Sequence, residues 1–180
     1  MEDTSLKTFA LDLYGREGVS AACLRLQEKA GLNVNLLLFA AWFGGCRRRE
    51  LSSDTAMAAE AHVAAWHREV VLPLRAVRRR LKTGPPPAPG ERSAMLRSKV
   101  QAIEIEAEIV ELDELDGYGR GLALLVSPAA PLHLAEAAML EVVAQAAGRT
   151  ADDQERADVA AIANAIAVLP ASFHPKDESH

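Results

Sequence analysis

The sequence predicts an all-α fold: a bundle of four to five helices followed by a helical, partly flexible C-terminal tail. Three observations carry this. The chain is 49% hydrophobic but only 4% aromatic, with alanine and leucine abundant. Apolar residues recur at intervals of three and four, and no series of short segments rich in valine, threonine and tyrosine lies between the turn signals. A chain of 180 residues can bury one good core but not two, so one domain over residues 5–116 and a tail over 117–180 are expected.

Thr4 or Ser5 can cap a first helix through Tyr14, with Leu6, Phe9, Ala10 and Leu13 on one face and Gly15 as its stop. A second helix runs from about Val19 to Ala30 with Val19, Ala22, Cys23 and Leu26 inward, and Gly31 supplies a left-handed cap. Asn33 or Asn35 caps a third, "LLLFAAWFG", which is apolar all round and belongs at the centre of a bundle. Ser52, Ser53 or Asp54 then opens a long helix to about Leu81, whose Val63, Trp66, Val70, Leu74, Val77 and Leu81 form a stripe. Pro73 removes one backbone hydrogen bond inside it, so a kink is expected there.

"TGPPPAPGERS" is a semi-rigid linker over residues 83–92. Beyond it, "IEIEAEI" alternates like a strand but has no second strand to pair with, and its flanks are strong helix formers. A helix over 93–115 is therefore expected, in which Leu96, Val100, Ile103, Ala107 and Val110 keep the helical rhythm while Ile105, Ile109 and Leu112 lie on the other side. A helix apolar on two sides is either sandwiched in the bundle or touching another protomer. "DGYGRG" should break the chain, and the alanine-rich remainder reads as helices near 131–147 and 152–168 that pack less firmly than the rest.

The net charge of -5 does not favour nucleic acid as the partner, although a local basic patch can still bind one. The two cysteines, Cys23 and Cys46, form no CxxC pair and read as buried thiols of a reducing compartment. No secretory signal opens the chain, and the longest apolar run, about a dozen residues, is short of the roughly 20 that span a bilayer. A cytoplasmic protein is expected.

"FALDLYGREGVSAACLRLQEKAGLNVNLLLFAAWFG" and "WHREVVLPLRAVRRRLK" carry a resemblance over roughly residues 6–116. In its "YxxxGVxxxCLxLQ" element, its "LNVNLLLFAAW" with Asn35 and Trp42, and its Trp66 before "VVxPLRxxRRxLK", the chain resembles a family of small proteobacterial proteins known only as conserved hypothetical proteins with a domain of unknown function. The resemblance implies a variable C-terminal part and no particular activity.

At 100° per residue, Arg68, Arg75, Arg78, Arg79 and Lys82 share about a third of the long helix. That basic face could grip phosphate or carboxylate, or match Glu104, Glu106, Glu108 and Glu111 across the linker, within one chain or between two. "ELDELD" lacks the second acidic motif that magnesium–diphosphate chemistry needs, and His62, His67, His133 and their neighbouring glutamates lack the spacing of a di-iron bundle. No phosphate-binding loop, dinucleotide fingerprint or nucleophile elbow occurs. Catalytic residues, metal and cofactor are therefore not assigned. Trp42 and Trp66 read as core anchors that could contribute to binding, and Asn35 as a helix cap. The leading expectation is a non-enzymatic helical interaction protein that self-associates or docks on a protein partner through helices 54–82 and 93–115. A small enzyme or ligand carrier with an apolar centre near Trp42 and Trp66 and an arginine at its mouth is the alternative. Binding of RNA or the ribosome by the basic face is a weaker one.

Overall fold

The computed structural model describes residues 4–170, and the polar end of the expected flexible tail lies outside them. The elements are α1 (Leu6–Tyr14), α2 (Val19–Ala30), α3 (Val34–Gly45), α4 (Ser53–Trp66), a π-helical turn (His67–Val71), α5 (Leu72–Thr83), α6 (Glu91–Gly121), α7 (Pro131–Ala147) and α8 (Asp153–Ala167). Since α4, the π turn and α5 form one continuous rod, the described residues hold seven helical rods and no strand.

Local chemistry sets most of the helix ends. The side chain of Ser5 accepts from the Thr8 N–H, Asn33 from Asn35 and Ser52 from Thr55, each satisfying an amide that the first turn leaves open. Asp152 and Glu155 complete a reciprocal capping box on α8. Asn33 is thus the cap of α3. Asn35 is the second residue of the helix and its side chain is free for another role.

The core centres on α3, which buries eleven of its twelve residues, from Asn35 to Gly45. Leu6, Phe9 and Leu13 of α1, Cys23 and Leu26 of α2, and Leu112 and Leu115 of α6 pack into the same cluster. Trp42 is 0% exposed, and its Nε1 donates to the Thr4 carbonyl at 3.0 Å. The guanidinium carbons of Arg47 and Arg120 each stand 5.6 Å from its ring centroid, within cation–π range of the indole.

Three expectations are corrected. The C-terminal segment is not loosely attached: Ala135, Ala138, Met139 and Val143 of α7, and Val159, Ile162 and Ile166 of α8, belong to the central core. α6 does not end at Leu115, because Gly117, Gly119 and Gly121 continue the helix. Gly119 is there for packing, since it is buried against Phe39 and Trp42.

The third correction concerns the long helix. Pro73 has no N–H to offer the Glu69 carbonyl, and the chain absorbs the loss in a π turn just before it, where the Leu72 N–H reaches His67. That extra residue carries everything beyond it round by roughly 100°. The stripe therefore does not run unbroken into the core. Val63 and Val71 are buried, whereas Trp66 is 38% and Val77 48% exposed.

Candidate functional site

α5 and α6 form an antiparallel hairpin that stands beside α1 and α2, and the space between is a cleft of about 510 Å³. Leu11 and Tyr14 of α1 and Leu24 of α2 form one bank. Arg75, Arg78, Arg79, Ile105 and Ile109 form the other, and Asn33, Asn35, His67, Glu104 and Glu108 contribute the polar lining.

The shifted register beyond the π turn aims Arg75 and Arg78 at α6. Arg75 Nε donates to Glu104 Oε1 at 3.3 Å and its Nη2 to Glu108 Oε1 at 2.6 Å. Arg78 Nη2 donates to Glu104 Oε1 at 3.0 Å, and its Nε donates to Glu104 Oε2. Glu104 is 4% exposed, so it is a buried carboxylate held between two guanidiniums. Burial pushes its carboxyl up, but the hydrogen bonds and charges of Arg78 and Arg75 outweigh that, and the group sits below its usual range. The hydrogen bond to Glu104 in turn raises Arg78.

One helical repeat on, Glu111 is 0% exposed. Asn33 Nδ2 and Asn35 Nδ2, the latter at 3.1 Å, both donate to its carboxylate, and His67 Nδ1 lies 3.2 Å from Oε2. Asn35 Nδ2 also reaches the Glu108 carbonyl at 3.3 Å. The start of α3 is thereby joined through one carboxylate to the π turn. Trp66 Nε1 donates to the Ala107 carbonyl at 2.9 Å and pins the end of α4 across α6.

The candidate residues therefore divide. Arg75, Arg78, Glu104 and Glu108 come together, and Asn35 joins Glu111. Arg68 faces out and pairs with Glu69 at 2.7 Å, while Lys82 is exposed. Arg79 lines the cleft, and its side chain makes no hydrogen bond or ion pair among the described residues. Glu106 is exposed and makes no side-chain hydrogen bond or ion pair among the described residues, and Glu111 meets amides and an imidazole in place of arginine. Trp42 and Trp66 do not line the cleft. The contacts of Asn33 and His67 with Glu111 were missed, although Glu104, Glu108 and Glu111 at spacings of four and three already marked an acidic face that required donors.

Burial pushes the Cys23 and Cys46 thiols up to about 12, so neither is a nucleophile at neutral pH. Among the described residues, no group of three histidine, cysteine, aspartate or glutamate side chains converges as a metal site, and no helix is long and apolar enough to cross a membrane.

The fold and cleft define an all-helical protein with an ion-paired hairpin beside an apolar-banked groove. The chain belongs to the family described as "Protein of unknown function (DUF2390)", whose sequence profile matches residues 5–115. No curated protein and no solved structure matches it.

Proposed function

We propose that this protein is a non-enzymatic binding module whose cleft receives an apolar, acidic segment of a protein partner. The observation that carries the reading is the contrast between banks and floor. Leu11 is 55%, Leu24 47% and Ile105 47% exposed, facing one another across the groove. The carboxylates of the lining, Glu104 and Glu108, are by contrast already engaged by Arg75 and Arg78. Exposed large apolar groups around a concave surface favour protein recognition. Arg79, with its five donors uncommitted, would fix an acidic residue of the partner.

A ligand carrier is the second reading, favoured by a cleft volume within the range of small-molecule sites and by arginine at its mouth. RNA binding has less support, because Arg75 and Arg78 are neutralised within the hairpin.

A photoreactive side chain at position 24 tests this in cells. The expected result is crosslinking to an apolar segment with acidic residues, abolished by Arg79→Glu with no change in melting temperature. Crosslinks indifferent to Arg79→Glu would sink the reading. A melting temperature raised by medium-chain carboxylates, with no crosslinked protein, would favour the carrier.

A further inference from the structure

The side of the hairpin turned away from the cleft carries an independent signal. Leu96, Val100, Ile103, Ala107 and Val110 recur at four, three, four and three residues, the spacing of an interhelical seam. Within the chain this seam is only half covered. α5 and Trp66 lie over its Ala107 edge, where Ala107 is 6% exposed, while Leu96 is 50%, Ile103 51% and Val110 42% exposed. Two antiparallel helices with an uncovered apolar seam are half of a four-helix bundle.

The charges bordering the seam identify what covers it. Arg92, Lys99, Glu106 and Asp113 recur every seven residues along its outer edge, all exposed, and none makes a side-chain hydrogen bond or ion pair among the described residues. Their order is two positive charges and then two negative ones, with Ile103 between. In a parallel copy the twofold axis would put this edge and its equivalent on opposite sides of the seam, so these four charges would not meet. An antiparallel copy whose twofold axis passes between Ala102 and Ile103 sets Lys99 beside the partner's Glu106 and Arg92 beside the partner's Asp113, and twofold symmetry makes each pair twice. The apolar register, with Leu96 against the partner's Val110 and Ile103 against its own equivalent, differs from this one by a single residue, a rise of about 1.5 Å along the helix. Apolar and charged registers thus select one antiparallel geometry to within that residue.

We propose that α6 forms the interface of a twofold-symmetric homodimer, antiparallel to α6 of a second copy, with Ile103 beside the axis. This interface does not involve the cleft, so it stands or falls separately from the reading above.

Sedimentation equilibrium of the full chain tests it. The wild type sediments as a dimer, and Ile103→Glu, at a half-exposed position, sediments as a monomer with an unchanged circular dichroism spectrum. Lys99→Glu alone and Glu106→Lys alone each weaken the dimer on the order of tenfold, since each replaces two attractions by two repulsions. Lys99→Glu combined with Glu106→Lys restores the wild-type dissociation constant. A wild type that stays monomeric up to its solubility limit overturns the proposal. So does a dimer indifferent to Ile103→Glu, or one that the double reversal does not restore.

Discussion

Gly119 lies against Phe39 so closely that a Cβ at position 119 would stand 2.8 Å from Cε2 of that ring and 3.0 Å from Cζ3 of Trp42. Both rings are fully packed, at 1% and 0% exposed, so neither can swing aside without disturbing the core. Gly119→Ala is expected to destabilise the fold by about 1 to 3 kcal/mol in urea unfolding. Gly117, two residues earlier on the same helix, has nothing within 4 Å of its Cβ position. Gly117→Ala should therefore stabilise by up to about 1 kcal/mol through helix propensity alone. Equal effects of the two substitutions would show that Gly119 is not a packing residue.

The ion-paired centre of the hairpin predicts an acid-side dependence. The Glu104 carboxyl is lower in the folded chain than the ordinary value of about 4.3. Its contribution is therefore fully present above that value and is lost as pH falls through the depressed one. Glu104→Gln leaves Arg75 and Arg78 without their shared carboxylate. The expected cost near neutral pH is about 2 kcal/mol, below the figure for fully buried pairs because both arginines keep some solvent contact. The difference between wild type and variant should shrink steadily below about pH 4. A difference that persists unchanged at pH 2 would contradict the pairing.

Asn33 holds two roles in one side chain. Its Oδ1 accepts from the Asn35 N–H at 3.0 Å, and its Nδ2 donates to Glu111. Asn33→Ala removes a helix cap and one donor to a buried carboxylate, an expected loss of about 2 kcal/mol. Asn33→Asp preserves the cap but sets a second carboxylate beside Glu111. If the cap alone mattered, Asp would rescue stability; a variant at least as unstable as alanine assigns the loss to Glu111.

Much of this architecture was legible in residue spacing. Ser5, Gly31 and Ser52 could be read as helix ends because capping depends on residues a few positions apart. The glycines at 117, 119 and 121 were misread for the complementary reason. Their local signal says break, and only the approach of Phe39 and Trp42, some eighty residues earlier in the chain, explains a glycine inside a helix. The basic face was legible in composition but not in direction. A constant 100° step cannot anticipate a π turn, and that turn separates Arg68 from Arg75 and Arg78. The two apolar sides of α6 were readable outright, and the structure shows which side meets the cleft and which stays uncovered.

The family match ends at residue 115, yet the core does not. α7 crosses α3 at Gly44, where a Cβ would lie 2.5 Å from the Ala135 nitrogen and from the Leu134 carbonyl carbon and oxygen. Those are backbone atoms and cannot yield without moving α7 as a whole. Gly44→Ala is expected to cost about 2 to 3 kcal/mol, whereas Gly45→Ala, whose Cβ would meet Ala135 Cβ at an ordinary 3.5 Å, should be tolerated. A chain truncated after Gly121 tests the same dependence more severely. It would uncover the apolar surface of α3 that Ala135, Ala138, Met139 and Val143 now cover. Such a truncation is expected to keep helical circular dichroism, lose its cooperative thermal transition and bind a hydrophobic dye. A sharp transition in the truncated chain would mean that residues 4–121 fold without α7 and α8, and that the close approach at Gly44 is incidental to stability.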